Sequence, residues 1–136
     1  MQQVKIMRRI HRRLDGAAEQ EKTVLDGVRH DRGDKIYLQF KEMISEDMEP
    51  VPTLLTVVGD EVVLHRKGDV GGDMRFVAGE SHSLMYRTPM GALPMEIQTS
   101  KVNVFVSRGI LKVELKYNLL SAGELLSEID MSIRAE

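Results

Sequence analysis

The chain of 136 residues contains no cysteine and no tryptophan, and it has only three phenylalanines and three tyrosines. Without cysteine the protein has no disulfide, no thiolate metal ligand and no cysteine nucleophile. With so few aromatic residues, a hydrophobic core must come mainly from valine, leucine, isoleucine and the nine methionines. Hydrophobic residues make up 42% of the chain and charged residues 29%. This composition is typical of a globular protein, and the length suits a single domain that covers residues 1–136.

Long apolar runs and a large net charge are also missing. Aliphatic stretches are short, such as Leu54-Leu55 and Val57-Val58, whereas a membrane-spanning helix needs roughly 20 apolar residues. The basic residues near the start are interleaved with apolar ones and do not form the blocks of a signal peptide. The formal net charge is −2, which favours neither a nucleic-acid nor a membrane partner. We therefore expect a cytoplasmic protein with no membrane partner, and nucleic acid is unlikely as a partner.

Hydrophobic residues recur with a period of two along much of the chain. Between residues 110 and 119, apolar and polar side chains alternate, and the apolar set is Leu111, Val113, Leu115, Tyr117 and Leu119. The same alternation returns near the end of the chain, where Ile129, Met131 and Ile133 share one face. A period of two is typical of strands that have one buried and one solvated face. The pattern therefore predicts an all-β protein.

Turn signals that contain glycine separate the alternating segments. They are Asp15-Gly16, Arg32-Gly33-Asp34, Gly59-Asp60, Gly68-Asp69, Gly71-Gly72-Asp73, Gly79-Glu80, Pro89-Met90-Gly91, Arg108-Gly109 and Ala122-Gly123. Gly59-Asp60 predicts a two-residue type II′ hairpin, because glycine readily adopts the positive φ of its first position. Short strands at this spacing, about eight to ten of them, indicate a sandwich or a barrel.

The apolar face changes parity within one long strand. Met95, Ile97 and Thr99 lie on one face, whereas the following apolar residues, Val102, Val104 and Val106, have even numbers. A slip of one residue turns every later side chain to the opposite face unless a bulge absorbs it. We therefore predict a bulge near Ser100-Lys101, a device that barrels use to bend their strands.

Residues 41–48 form the only segment that could contain a helical turn. The segment is acidic, and Pro50 and Pro52 follow it and prevent any continuation as a helix. A solvated loop at the mouth of a barrel is the preferred interpretation.

No catalytic, metal or cofactor motif is present. The four histidines, His11, His30, His65 and His82, are not spaced as metal ligands. Gly79-Glu80-Ser81 does not form a nucleophile elbow, and residues 68–73 lack the Gly-Lys-Ser/Thr ending of a phosphate-binding loop. Glu42 is the best candidate for acid or base chemistry. Pairing of Glu42 with Arg66 or Arg75 inside a barrel is the preferred alternative, because an unpaired buried charge is costly.

The first 14 residues contain five Lys or Arg and no acidic residue. As a strand, this segment would place Lys5, Arg9, His11 and Arg13 on one face, and Arg8 and Arg12 on the other, where they interrupt the apolar series Val4, Ile6 and Ile10. A basic strip can contact phosphates, but the aromatic residues on which single-stranded nucleic acids stack are absent. An edge strand protected from aggregation by its charges is the preferred interpretation.

Several segments carry a likeness to a known family: residues 36–42, 63–68 and 74–79, the block Tyr86-Arg87-Thr88-Pro89-Met90-Gly91-Ala92-Leu93, Thr99, and residues 116–119. On these segments the chain resembles the bacterial YwiB-like proteins, a family of uncharacterised function with a calycin-like (lipocalin-like) β-barrel. The Tyr-x-Thr-Pro-x-Gly block is the most specific of them. The resemblance covers nearly the whole chain and implies a single antiparallel up-and-down β-barrel. It implies no activity.

Barrels of this type often hold a small apolar ligand, and an eight-stranded barrel is about wide enough for packed side chains or one small ligand. We expect a non-enzymatic module that binds a small apolar or amphipathic molecule and has no cofactor. The residues expected at the barrel interior or mouth are Tyr37, Phe40, Glu42, Arg66, Arg75, Phe76, Tyr86 and Thr88. Methionines such as Met74 and Met85 would fill the core or line the cavity. The alternative is a packed barrel that acts through its surface as a protein-interaction module or homodimer.

Overall fold

The alternating segments form ten strands in the computed structural model, which describes residues 1–43, 46–68 and 71–136. They are β1 (Gln2–Leu14), β2 (Ala17–Arg32), β3 (Lys35–Glu42), β4 (Val51–Val58), β5 (Glu61–Arg66), β6 (Asp73–Phe76), β7 (Ser81–Thr88), β8 (Gly91–Ser107), β9 (Ile110–Ser121) and β10 (Glu124–Ala135). Every paired neighbour is antiparallel. The predicted all-β class is therefore confirmed.

The strands form one sheet in the order β6-β5-β4-β3-β2-β1-β10-β9-β8-β7, which is an up-and-down arrangement. The two outer strands of this order, β6 and β7, approach each other, and Gly71 and Arg87 exchange two backbone hydrogen bonds of 2.8 Å. The bonds of Gly79 and Glu80 to Thr99 extend the pairing of β7 with β8. The bonds between Gly71 and Arg87 turn the sheet into a nearly closed barrel, as expected.

The first strand does not lie at an edge. It pairs with β2 on one side and with β10 on the other, so the interpretation of the basic segment as a protected edge strand is wrong. The predicted division of its two faces is confirmed, since Arg8 faces inward and is buried while Arg9 is exposed. On the outer face, Lys5 pairs with Asp26 and Arg13 pairs with Asp130. Acidic residues of neighbouring strands thus neutralise part of the basic strip.

The predicted turn between β4 and β5 and the predicted bulge in β8 are both present. Gly59-Asp60 connects β4 to β5, and Gly59 has a φ of 57° while Asp60 is not among the residues with positive φ, which agrees with the predicted type II′ turn. The pairing of β8 with β9 shifts register between Thr99 and Lys101, which confirms the predicted bulge.

The barrel interior is packed at one end. The largest side chains that are fully buried are Phe76, Ile6, Leu38, Leu55, Ile97, Leu111, Ile133, Val62 and Val113. They lie toward the end that carries the β2–β3, β4–β5 and β8–β9 turns. The other end, where β1, β3 and β5 finish and where the long β3–β4 connection lies, contains the polar interior described below.

The acidic segment 41–48 falls only partly within the described ranges. Lys41 and Glu42 end β3, and Glu46 and Asp47 lie in a turn, whereas residues 44 and 45 lie outside the described residues. In the ranges that the structure describes, none of the segments forms a helix with the length and hydropathy needed to cross a bilayer.

Candidate functional site

Charged side chains point into the barrel at the end where β1, β3 and β5 finish. Arg8 on β1, Glu42 on β3 and Arg66 on β5 all lie at inward-facing positions of their strands. The side chains of Arg8 and Glu42 are only 8% and 3% exposed, and that of Arg66 is 13% exposed. The strand order brings them together, because β1 and β3 flank β2, and β3 and β5 flank β4.

Glu42 is the centre of this cluster. Arg66 donates to it from Nε at 3.0 Å and from Nη2 at 3.3 Å, and the Thr53 hydroxyl donates at 2.8 Å. Arg8 donates a further hydrogen bond from Nη1. Burial acts to raise the pKa of Glu42, but the hydrogen bonds and charges of its partners outweigh burial and hold this pKa below its ordinary value. Glu42 is therefore an ionised carboxylate at neutral pH.

Glu21 forms a second, more exposed bridge. Its carboxylate accepts a 3.2 Å hydrogen bond from Arg8 Nη2 and a 3.3 Å hydrogen bond from Arg12 Nη1. Glu21 pairs with Ile10 across β1 and β2, so Arg8 and Arg12 lie on its two diagonals. Burial raises the pKa of Glu21, but the two arginines lower it by a larger amount. The side chains of Arg12 and Glu21 are 39% and 42% exposed, which places this bridge at the mouth.

A cavity of about 380 Å³ adjoins both carboxylates. Besides the charged residues, its lining consists of Ile10, Met43, Met74, Leu84, Tyr86, Met95, Tyr117, Leu119, Ile129 and Met131. One wall is therefore cationic and the rest is mostly aliphatic or thioether. Burial raises the pKa of Tyr117 to about 12, so its phenol stays neutral at physiological pH. Such a surface can hold a molecule that has both a polar and an apolar part.

Three of the eight residues predicted for the site lie together in this cavity: Glu42, Arg66 and Tyr86. The predicted pairing of Glu42 is with Arg66 and not with Arg75. Phe40 and Phe76 are buried in the core and do not line the cavity. Thr88 faces the mouth, where its hydroxyl donates to the carbonyl of Gly91 and stabilises the β7–β8 turn.

Two of the predicted residues, Tyr37 and Arg75, lie on the outer surface and not at the barrel interior or mouth. Tyr37 has the outward parity of β3 and stacks on His30 with a centroid distance of 6.2 Å. Arg75 has the outward parity of β6 and donates to Glu61 at 2.5 Å. Both lie one position from a buried inward-facing residue, so the alternation that buries Leu38 and Phe76 exposes Tyr37 and Arg75.

The sequence prediction missed Arg8, Arg12, Glu21 and Tyr117 as members of the site. A signal for the arginines was present, because Arg8 and Arg12 share the parity of Val4, Ile6 and Ile10. A charge at the inward position of a strand is costly unless it is paired. It therefore points either to a buried ion pair or to a binding site.

Other candidate features do not converge on a site. Among the described residues, no group of three or more His, Asp or Glu side chains is arranged to hold a metal ion. His65 contacts the carboxylate of Asp73, and His82 contacts the carbonyl of Asp73 at 3.2 Å. In the glycine-rich connection, Gly71 and Gly72 pack on Arg66 and Leu84. A larger groove of about 920 Å³ lies mainly on the outer face of β1 to β4. We favour the interior cavity because the buried charges of Arg8 and Glu42 meet Arg66 there.

The ion pairs predict a loss of stability in acid. The pKa values of Glu42, Glu21 and Asp31, which pairs with the buried Arg29 of β2, all lie below their ordinary values of 4.5, 4.5 and 3.8. Their contribution is complete above those ordinary values and is lost as pH falls through the lower folded-state values. We expect the urea midpoint to be constant from neutral pH to about pH 5 and to fall toward about pH 3. A Glu42→Gln variant should show a shallower fall, and an equally steep one would contradict the role of Glu42.

A family model, a related protein and a solved crystal structure all match this chain. The family model described as "Domain of unknown function (DUF1934)" matches residues 4–133. The uncharacterised β-barrel protein YwiB of Bacillus subtilis is 26% identical over 105 residues, which are 77% of this chain and 72% of that protein. The crystal structure of that protein superposes with a TM-score of 0.87 at 22% identity, over 98% of this chain and 90% of that chain. The predicted resemblance and the barrel fold are thereby confirmed.

Proposed function

We propose that this chain, which belongs to the family of domains of unknown function DUF1934, is a non-enzymatic, calycin-like binding module for a small amphipathic molecule. The ligand occupies the interior cavity at the end where β1, β3 and β5 finish. The absence of cysteine fits a reducing compartment, which supports a cytoplasmic location.

The cavity is the observation that carries this proposal. Its volume of about 380 Å³ falls within the range of roughly 300–1,000 Å³ that is usual for small-molecule sites. A barrel that served only as a rigid scaffold would gain stability from filling this space with side chains, since unfilled apolar volume costs free energy. The packed half of the same barrel has such filling, with Phe76, Leu38 and Val62 fully buried.

The state of Glu42 supports a binding role over an enzymatic one. A general acid or base at neutral pH needs a pKa near the working pH, whereas Glu42 has a lowered pKa and accepts hydrogen bonds from Arg8, Arg66 and Thr53. Arg66, Thr53 and Arg8 all stabilise the ionised form of Glu42. This arrangement favours a role for Glu42 in ordering the arginines over proton exchange with a substrate.

A neutral fluorescent probe, N-phenyl-1-naphthylamine, tests the cavity directly. We expect it to bind the wild-type protein and to bind at least about tenfold more weakly to Met95→Trp, because the indole would occupy the cavity that Met95 lines. Met85→Trp is the matched control, since Met85 lies on the outer face of the neighbouring strand and is 54% exposed. Dissociation constants come from fluorescence titration.

Equal affinity in the wild type and in Met95→Trp, with both folded by circular dichroism, would contradict the proposal. So would an effect of Met85→Trp as large as that of Met95→Trp. Either result would favour the alternative in which the barrel acts through its outer surface, as a homodimer or with a protein partner.

A further inference from the structure

The charges that line the cavity do not balance. Three arginines, Arg8, Arg12 and Arg66, face two carboxylates, Glu21 and Glu42. One positive charge in the lining therefore has no acidic counterpart in the cavity. An uncompensated charge near a low-dielectric space attracts an anion, and the attraction is stronger there than at a fully solvated surface.

Arg8 has one hydrogen-bond donor, Nε, that neither carboxylate uses. Its Nη1 and Nη2 atoms bond to Glu42 and Glu21, but its buried Nε has no hydrogen-bond partner among the described residues. The residue as a whole is only 7% exposed. A buried donor without a partner costs free energy, and an acceptor that reached Nε would recover it.

Glu42 and Glu21 differ in burial and in the lengths of the hydrogen bonds that they accept. Glu42 is buried and is bonded by Arg66 and Thr53 at 2.8 to 3.3 Å, in addition to Arg8. Glu21 is 42% exposed and its hydrogen bonds to Arg8, Arg12 and Thr23 are 3.2 to 3.3 Å long. Glu42 is a permanent part of the barrel interior. Glu21 can swing to solvent at a small cost, because its ion pairs are long and partly solvated.

We infer that the ligand carries a single anionic head group, of the carboxylate, sulfonate or phosphate type, which binds Arg8 and Arg12 in the position that Glu21 occupies in this structure. This inference rests on the proposed function and names its ligand class. Glu21 acts as an internal counter-ion that the head group displaces. The apolar body of the ligand lies against the wall that contains Met74, Met95 and Met131.

The rest of the lining suits such a head group. Guanidinium groups bind carboxylate, sulfonate and phosphate oxygens through charge-assisted hydrogen bonds. The Tyr117 phenol remains neutral, with a pKa raised to about 12 by burial, so it adds no negative charge that would repel an anion. Arg66 is committed to Glu42 by two hydrogen bonds, which leaves Arg8 and Arg12 as the pair that receives the ligand.

The test compares two dyes that differ by one group: 8-anilinonaphthalene-1-sulfonate is N-phenyl-1-naphthylamine with an added sulfonate. We expect Arg12→Gln to raise the ratio of the anionic dye's Kd to the neutral dye's Kd by about tenfold. Glu21→Gln should lower this ratio by a similar factor, because an amide competes poorly for the arginines. Arg13→Gln is the matched control, since it makes the same charge change on the outer face, where Arg13 pairs with Asp130.

Equal ratios in Arg12→Gln and Arg13→Gln would overturn the inference, because they would show only an effect of net charge. A ratio that Glu21→Gln does not lower would also overturn it. These failures differ from failure of the proposed function, in which Met95→Trp leaves the binding of the neutral dye unchanged. That result would remove the ligand site and the inference together.

Discussion

Replacement of Glu42 with glutamine is expected to lower the free energy of unfolding by about 3–5 kcal/mol. The amide keeps the shape of the side chain but leaves the buried guanidinium group of Arg66 without its countercharge and leaves Arg8 with only its longer pair to the half-exposed Glu21. Removal of one partner from a buried ion pair is costly because the remaining charge stays desolvated. Urea unfolding at neutral pH, followed by circular dichroism, measures the change.

An ion pair on the outer face provides the control for this variant. Glu61 accepts a hydrogen bond from Arg75 at 2.5 Å, and both side chains are more than a third exposed. Glu61→Gln makes the same chemical change in a solvated pair, where a small effect is expected. If the two variants lost similar stability, the buried cluster would not be the source of the effect.

A triple variant that removes every charge of the Glu42 cluster tests stability and ligand binding separately. Replacement of Arg8 and Arg66 with methionine together with Glu42→Leu removes all three charges. Apolar groups of similar size often replace a buried ion cluster without loss of stability. We expect this triple variant to regain most of the stability that Glu42→Gln loses, while binding of the anionic dye does not recover. Recovery of anionic-dye binding in the triple variant would contradict the role assigned to Arg8.

Replacement of Phe76 with alanine is expected to cost about 3–5 kcal/mol of unfolding free energy. Phe76 is fully buried on β6 and packs against Tyr117 with a ring-centroid distance of 4.7 Å. The substitution removes the transfer free energy of the ring and leaves a void that the strands cannot fully close. Thermal and urea unfolding measure this change.

Phe105 offers a matched phenylalanine on the surface. It is 51% exposed near the end of β8, and its ring lies 5.9 Å from the ammonium group of Lys112. Phe105→Ala should change stability little, because only a weak, solvated contact is lost. A loss in Phe105→Ala as large as that in Phe76→Ala would contradict burial of the ring as the source of the Phe76 contribution.

Tyr117 connects the two halves of the interior. One side of its ring contacts Phe76 in the core, and the residue also lines the cavity. Phe76→Ala therefore removes support from the cavity wall, and Tyr117 gains freedom to move. We attribute the position of the Tyr117 phenol in the site to the packing of its ring against Phe76.

The strands and much of their detail can be predicted from local sequence patterns. The period of two, the Gly59-Asp60 turn and the bulge after Thr99 were all readable, because they depend on interactions between residues that are close along the chain. The inward parity of Glu42 and Arg66 also follows from the residues next to them. The specific segment around Tyr86 and Thr88 identified the family.

Which charged side chains pair inside the barrel depends on the tertiary structure. The position of β1 follows from its pairing with β10, at the far end of the chain, and no local pattern distinguishes this pairing from an edge position. Burial of Arg8 against Glu42 requires β1 and β3 to flank β2. Tyr37 and Arg75, which are expected at the barrel interior or mouth, are placed on the outer face by strand parity. Strand periodicity assigns faces from neighbours in the sequence, whereas the contacts inside a barrel depend on strand order and closure, which only long-range pairing supplies.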